Sequence, residues 1–357
     1  MYSNEMRRRF ILKSDRLRTV SIALILLFVI ILTHSACSAA LKEKKIPVRV
    51  LILPKFEIGE MTGDFPGEAQ YFYEEYFAGG EEFEIGRVPD SGTLYYKNGA
   101  AMLLLGQGKV NAALSTAAVL SDERFDFSDA YIFSVGCGGS AKDYGILGDV
   151  FVISAAVDYD LGHQADPRES GRSSETTWFH DESFDSSAVV RMDERLTDRV
   201  YQMVKDVPLE TTEKSVAFLQ REFPGEAWAD RPPRVLRGTV LTGDNYWKGI
   251  YDHKNALLMT ETYHCTDPFA ITEMEDVAVG LAVKSFGLLD RMIILRTGVN
   301  MDVFPAGVTP EMLWGTGVDD HIASETSMES IDIFETAMKN CFLVGKVLID
   351  AMLEGSF

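Results

Sequence analysis

Short apolar segments rich in β-branched residues alternate along the chain with longer segments of helical spacing. The first apolar segment ends at Pro54, and a long helical pattern closes the chain at 330–353. The apolar segments cover 48–53, 100–105, 129–135, 149–154, 237–241 and 291–296. Strands separated by helices are typical of a mainly parallel sheet with both faces covered. The pattern therefore predicts one three-layer α/β domain over 45–357, with a mixed, largely parallel central sheet flanked by helices.

Residues 1–40 have the pattern of an export signal. Basic side chains are concentrated in 7–18, an apolar run covers 22–32, and small residues cover 35–40. This order is typical of a secretory signal peptide, and the apolar run is shorter than the roughly 20 residues that a spanning helix needs. The sequence predicts export to the periplasm or cell envelope. Three alternatives stay open: cleavage after Ala40, lipidation of Cys37, and retention as an uncleaved N-terminal anchor.

Charge and cysteine content exclude several classes of protein. Acidic side chains exceed basic ones by 54 to 34, a formal net charge of −20, whereas nucleic-acid binders carry a basic surface. Nucleic acid is therefore not an expected ligand. Cys137, Cys265 and Cys341 have no paired spacing, which favours buried thiols over a disulfide framework. His264, Cys265 and Asp267 are close in sequence, but a metal needs about three or four converging ligands, so no metal or cofactor is predicted.

Polar, aromatic and glycine residues follow the predicted strands. In open α/β sheets, ligands bind beyond the carboxyl ends of the strands, so these residues are expected to meet at one ligand site. The segments are 54–57, 106–109, 136–139, 242–247 and 296–302.

The order of these segments resembles the nucleoside phosphorylase and adenosylhomocysteine nucleosidase superfamily, and it is most similar to the purine nucleoside permease family. The resemblance extends from about Val48 to the C-terminal helix. It is carried by Gly106–Ala113, Val135–Gly139 with Gly148-Asp149-Val150, Thr242–Trp247, Glu273–Ala278 and Arg296–Asn300. It implies a nucleoside phosphorylase-like fold, a purine nucleoside ligand, cleavage of the N-ribosidic bond and a homo-oligomer.

The resemblance also implies roles for single residues. Glu275 takes the place of the glutamate that hydrogen-bonds the ribose hydroxyls, with Met274 packing beneath the sugar and Glu273 beside it. Tyr246 and Trp247 take the base-stacking position, where an aromatic face supplies contact area at low entropic cost. The remaining substrate-binding candidates are Gly108, next to the ribose or its nucleophile, and Gly136, Cys137 and Gly138, whose backbone N–H groups are placed to bind an anion.

Asn300 is the main departure from the nucleosidase pattern. It stands where nucleosidases carry the aspartic acid that protonates the purine N7, and an amide is a poor proton donor. Asp302 is a surrogate acid. Glu57, or alternatively Glu60, takes the role of the carboxylate that orients water. Ser134 stands where hexameric phosphorylases carry a phosphate-binding arginine, which favours water over phosphate as nucleophile.

Two classes of function therefore stay open. The first is an exported enzyme that cleaves purine nucleosides, with hydrolysis favoured over phosphorolysis and with Asn300 and Glu57 as catalytic residues. The second is a non-catalytic nucleoside-binding component of uptake. One N-terminal apolar segment is too little to line a solute pathway, so a transport role implies a separate membrane partner.

Overall fold

A mixed sheet of ten strands forms the centre of the protein. The structure, a computed structural model, describes residues 44–86, 88–89, 92–166, 176–305, 307–310 and 328–357. The strands are β1 Ile46–Pro47, β2 Val50–Leu53, β3 Glu81–Glu84, β4 Thr93–Lys97, β5 Ala100–Leu103, β6 Phe125–Asp126, β7 Tyr131–Ser140, β8 Val150–Asp158, β9 His163–Gln164, β10 Trp178–Phe179, β11 Val189–Arg191, β12 Val235–Thr242, β13 Phe269–Glu273 and β14 Met292–Met301.

Helices cover the sheet, as the alternating pattern predicts. The first helix, α1 (Gln70–Phe72), is a single turn that continues as a π-helix over Tyr73–Phe77. The α-helices are α1 Gln70–Phe72, α2 Lys109–Leu120, α3 Asp185–Ala188, α4 Glu194–Val204, α5 Glu213–Glu222, α6 Ile250–Thr262, α7 Asp276–Ser285 and α8 Met328–Glu354. Residues 47–357 form one compact unit.

The sheet combines parallel and antiparallel pairs, which confirms the predicted mixed α/β class. Its order is β11-β8-β12-β13-β7-β2-β5-β4-β3, and β14 pairs with both β7 and β8. The strands β7, β14, β8, β12 and β13 therefore close into a ring. Within it, β14–β7, β12–β8 and β12–β13 are parallel, whereas β13–β7 and β14–β8 are antiparallel.

Apolar burial holds the closing helix on this sheet. All nine residues of β8 are buried, so both of its faces are covered. Helix α8 places Cys341, Val344 and Leu348 in the same core cluster as Val135 and Leu295 of the neighbouring strands β7 and β14. Burying such side chains contributes roughly 1.5–3 kcal/mol each for the larger aliphatic ones. The predicted closing helix therefore completes the core.

The glycine run after Val135 differs from its prediction. The sequence predicts a strand that stops at Gly136, but β7 continues to Ser140 and pairs with β14 and β13 along the way. Glycine serves here for close approach, because a Cβ at Gly138 would lie 2.9 Å from Ile271 Cγ1 and overlap the Thr272 carbonyl. The predicted loop over 136–139 is therefore wrong, since these residues form a strand.

The predicted export signal and Cys37 lie outside the described residues. Among the helices of the described part, none is long and apolar enough to span a membrane.

Candidate functional site

A cavity of about 640 Å³ lies where the strands β2, β7, β12, β13 and β14 end, at the edge predicted to bind ligand. Charged and polar side chains form one wall, and much of the remaining wall is apolar. The apolar lining includes Phe56, Ile58, Phe65, Leu147, Phe218, Phe223, Val299, Met301, Pro305, Val308, Ile331, Ile333 and Phe334. A volume of this size is typical of a small-molecule site.

Glu275 lines this cavity at the start of α7, between two fixed donors. Its Oε1 accepts a hydrogen bond from Gly108 N at 2.9 Å, and its Oε2 accepts one from Arg296 Nη2 at 3.3 Å. The side chain is almost fully buried, and Met274 lines the cavity beside it. Gly108 thus contributes its backbone to the site by orienting this carboxylate. The remaining lone pairs of Glu275 are available to accept from a ligand.

Arg296 of β14 joins the carboxylates of this wall. Its Nε donates to Asp276 Oδ2 at 2.7 Å, its Nη2 to Glu273 Oε2 at 2.6 Å, and its Nη1 to the Cys137 carbonyl at 3.0 Å. Nη1 also lies 3.8 Å from Glu68 Oε1. A guanidinium has several donors in a fixed plane, so one side chain can hold several acceptors in place. From the sequence, Arg296 is only the first residue of the Arg296–Asn300 motif and has no role of its own.

Glu68 is a cavity residue that the sequence did not predict. Its Oε1 accepts from Cys137 N at 2.9 Å and its Oε2 from Lys55 N at 2.8 Å. A Cβ at Gly136 would collide with Glu68 and lie 2.7 Å from Arg296 Nη1, so glycine lets both side chains cross the strand. Burial raises the pKa of Glu68, although the charges of Lys55 and Arg296 oppose this shift.

Glu57, the predicted water-orienting residue, caps a helix and does not line the described cavity. Its carboxylate accepts from the backbone N–H groups of Gly67, of Ala69 at 2.9 Å and of Gln70 at 2.6 Å, which caps the start of α1. It is absent from the described lining of the cavity, as is Glu60, an exposed residue. Glu68, a buried carboxylate that also follows β2, does line the cavity. The only sequence feature that could have indicated Glu68 is its place as an acidic residue just before a helical segment, and that feature is not specific.

Glu273 closes the back of the charged wall. Its Oε2 accepts from the N–H groups of Glu275 at 2.7 Å and Asp276 at 2.9 Å, and its Oε1 is hydrogen-bonded to Thr242 Oγ1. Burial and the neighbouring charge of Asp276 raise the pKa of Glu273, although the charge of Arg296 opposes this shift. Glu273 thus lines the cavity as a carboxyl group held by several donors.

Asn300 lines the cavity near the end of β14. The register of β14 against β7 skips Val299, a β-bulge that brings Asn300 level with Gly139. The Asn300 amide nitrogen donates to the Met301 carbonyl at 3.2 Å, and a Cβ at Gly139 would come within 3.0 Å of it. The bulge and the glycine together turn an amide toward the ligand space.

The two predicted aromatic residues both line the cavity, in different environments. Tyr246 is half-exposed, whereas Trp247 is buried and stacks on Tyr159 with ring centroids 4.8 Å apart. Within the described residues, the buried Trp247 Nε1 has no hydrogen-bond partner. The pair therefore supplies one open and one enclosed aromatic surface.

Asp302, the predicted surrogate acid, is not part of the described cavity lining. Its Oδ1 accepts from Lys142 N at 2.9 Å, and its Oδ2 lies 2.6 Å from His253 Nδ1. Burial raises the pKa of Asp302, while His253 opposes the shift.

Of the residues considered for a metal, Asp267 is hydrogen-bonded to Arg237. The described residues hold no group of three His, Cys, Asp or Glu side chains suited to a metal.

Comparisons with known proteins agree with this architecture. The sequence profile of the purine nucleoside permease (NUP) family matches residues 47–356. A probable purine nucleoside permease of Schizosaccharomyces pombe is 29% identical over 280 residues, which cover 70% of this chain and 74% of that protein. The purine nucleoside permease of Candida albicans is 26% identical over 213 residues, covering 54% of this chain and 52% of that protein.

Solved structures show the same fold at low identity. The 5′-methylthioadenosine/S-adenosylhomocysteine nucleosidase of Neisseria meningitidis is 16% identical, covers 85% of this chain and 99% of its own, and gives a TM-score of 0.50. A mutant futalosine hydrolase of Helicobacter pylori is 16% identical, with the same coverage and a TM-score of 0.51. The family profile spans nearly all of the compact unit described above, so the chain belongs to the purine nucleoside permease family.

Proposed function

We propose that this chain binds purine nucleosides in the cavity and hydrolyses their N-ribosidic bond. The observation that carries the proposal is the charged wall. Two buried carboxylates, Glu68 and Glu275, line one cavity and lie within 3.8 Å and 3.3 Å of the same Arg296 guanidinium. Cleavage of a glycosidic bond uses a pair of carboxylates around a sugar that becomes positively charged.

The first step is recognition of the sugar. Glu275 accepts hydrogen bonds from the ribose hydroxyls, and its negative charge stabilises the oxocarbenium ion that develops at C1′. Gly108 N and Arg296 hold its two oxygens, so the carboxylate is oriented before the nucleoside arrives. Pre-orientation matters because a group that need not reorganise stabilises the transition state more strongly.

The second step is attack by water. Glu68 accepts the proton of a water molecule whose oxygen bonds to C1′, while the bond from C1′ to the base breaks and its electron pair leaves with the base. Asn300 donates a hydrogen bond to the departing purine without transferring a proton, and the base takes its proton from solvent. Tyr246 and Trp247 supply aromatic surface for the base.

Water is favoured over phosphate by the surroundings of Ser134. This side chain is buried, accepts from Lys55 Nζ at 2.6 Å and donates to Asp276 Oδ1 at 2.6 Å. The position therefore presents no cation to the cavity. Arg296, the buried cation of the wall, is already bonded to carboxylates.

A second function is favoured by Asn300 itself. An amide does not protonate N7, so a nucleoside can be bound and released intact. In that case the chain is the nucleoside-binding component of an uptake system, exported by residues 1–40 and working with a membrane partner. Export by residues 1–40, homo-oligomerisation and the alternative of anchoring through Cys37 are proposed together with either function.

One assay separates these functions. The purified protein is incubated with inosine and with adenosine, with and without phosphate, and products are separated by chromatography. Free base and ribose without phosphate support hydrolysis, and ribose 1-phosphate formed only with phosphate supports phosphorolysis. Intact nucleoside that binds in calorimetry supports the uptake role. If the protein neither binds nor cleaves these nucleosides, both proposed functions are refuted.

We expect Glu275→Gln to weaken nucleoside binding by about tenfold to a hundredfold, because a hydrogen bond to a charged acceptor is worth roughly 1.5–3 kcal/mol. Calorimetry gives the affinity, and thermal unfolding checks that the variant is folded. Glu261→Gln, an exposed carboxylate on α6, is the matched control and should bind as the wild type does. Unchanged affinity in Glu275→Gln would remove this residue from the ligand site.

A further inference from the structure

Lys55, directly after β2, is a buried cation that the steps above leave unused. Its side chain is 1% exposed. Its Nζ donates to Ser134 Oγ at 2.6 Å and to the Val135 carbonyl at 2.9 Å, and lies 3.6 Å from Asp276 Oδ1. Lysine is almost never fully buried unless it is paired, because desolvating an ammonium is costly. The burial of Lys55 behind the charged wall therefore needs a structural or functional explanation.

Asp276 connects Lys55 to the cavity. This carboxylate is fully buried and bonds Arg296 through both oxygens, Oδ2 to Nε at 2.7 Å and Oδ1 to Nη2 at 2.8 Å. Ser134 Oγ donates to the same Oδ1. The contacts thus run from Lys55 through Asp276 to Arg296, and from Arg296 to the two carboxylates that face the ligand.

Carboxylates outnumber cations in this cluster, and removing Lys55 would widen that excess. The cluster contains four carboxylates, Glu68, Glu273, Glu275 and Asp276, against two cations, Lys55 and Arg296. Like charges in a buried site raise each other's proton affinity. Removing one cation therefore makes the carboxylates of the cluster bind protons more tightly.

We propose that Lys55 is a positioning residue: acting through Asp276 and Arg296, it offsets the excess negative charge of the cluster and holds the guanidinium between Glu68 and Glu275. Its effect on turnover rests on the proposed function, whereas its effect on the charge of the cluster does not.

The groups around Lys55 agree with this role. Burial alone would raise the pKa of Asp276, but Arg296 and Lys55 lower it below its ordinary value. The thiols of Cys137 and Cys341 also adjoin the cluster, and burial raises the pKa of both. They stay uncharged, so the four carboxylates and two cations account for its charge near neutral pH.

The test compares unfolding temperature against pH, between about pH 5.5 and 9, for wild type, Lys55→Gln and Lys55→Met. Gln keeps a hydrogen-bond donor and loses the charge, whereas Met loses both. A carboxyl whose folded pKa is raised stabilises the fold at low pH and loses that stabilisation as pH rises. Both variants should therefore show a deficit in unfolding temperature that grows with pH.

Two further variants separate charge from packing. Lys339→Gln removes an exposed lysine that also pairs with a carboxylate, Glu210, and should show no trend with pH. Asp276→Asn removes a negative charge from the cluster, so its deficit should shrink as pH rises. Deficits that stay constant with pH in the Lys55 and Asp276 variants would mean that Lys55 is only a structural residue, and would overturn the proposal.

Activity gives a second readout if the protein cleaves nucleosides. The acid limb of the pH–rate profile should move to higher pH by about one unit in Lys55→Gln, the low end of what a nearby opposite charge does to a carboxyl pKa. An unmoved limb in a folded variant contradicts the proposal. Absence of cleavage by the wild type refutes the proposed hydrolysis instead, and the unfolding series still decides the role of Lys55.

Discussion

Replacing Glu68 with glutamine should lower the rate of nucleoside cleavage by about a hundredfold to ten-thousandfold, the range that a positioned general base contributes. Glutamine keeps the size of the side chain but does not take a proton from water. Nucleoside affinity should change far less than turnover, since Glu275 carries the contact with the sugar. Steady-state rates at saturating nucleoside, together with calorimetric affinity, separate these two effects.

Glu57→Gln is the matched control for this experiment. Glu57 also accepts backbone N–H groups with both oxygens, so both variants lose comparable hydrogen bonds. We expect Glu57→Gln to lower the unfolding temperature and to leave turnover per folded molecule unchanged. The reverse result, with Glu57→Gln inactive and Glu68→Gln active, would restore Glu57 as the residue that orients water.

The wild-type pH profile follows from the same carboxylate. Burial raises the pKa of Glu68, and the base is active only when ionised. Turnover should therefore rise with pH as this group loses its proton. The acid limb should disappear from the residual activity of Glu68→Gln, because that variant has no carboxyl at this position.

Replacing Asn300 with aspartic acid should increase cleavage at acidic pH by about a hundredfold, the low end of the contribution of a general acid. A carboxyl at this partly buried position has its pKa raised by desolvation, so it is protonated on the acid side and can donate to the purine N7. The gain should fade as pH rises through that pKa. Base release by wild type and variant, measured across about pH 5 to 8, gives the comparison.

Asn245→Asp provides the control for Asn300. Asn245 also lines the cavity, but it lies in the segment after β12 and is exposed. We expect no gain at acidic pH from this variant. If Asn300→Asp keeps its affinity and likewise gains nothing, Asn300 does not contact N7, and the role implied by the family resemblance does not apply at this position.

The fold could be predicted because its signals are local. Apolar strands, helical spacing and the residues after each strand are properties of short segments, and the motif around Glu275 adjoins one of them. Glu57 and Glu68 show the limit of that approach. Both follow the first strand of the sheet, and local pattern does not tell which one caps a helix and which one reaches the cavity. The structure distinguishes them because the Glu68 side chain passes over Gly136, where a larger residue would collide with it, and so reaches the cavity.

The cluster behind the charged wall could not be predicted from local pattern either. Lys55, Ser134, Asp276 and Arg296 are far apart in sequence and meet only because their strands and one helix start lie side by side. The error at 136–139 has a related cause. A run of glycines usually indicates a loop, but here the missing side chains make room for Ile271, Glu68 and Arg296 against a continuous strand.

The closed ring of β7, β14, β8, β12 and β13 has a consequence for ligand entry. A strand that is paired on both sides exchanges its amide hydrogens mainly through large-scale opening, so the backbone of the ring belongs to the slowest-exchanging part of a protein. Several cavity residues, including Cys137, Thr272 and Asn300, lie on these strands. Movements that admit a nucleoside therefore fall on the connecting segments around Phe56 and Tyr246, where amide exchange should respond first to a bound ligand.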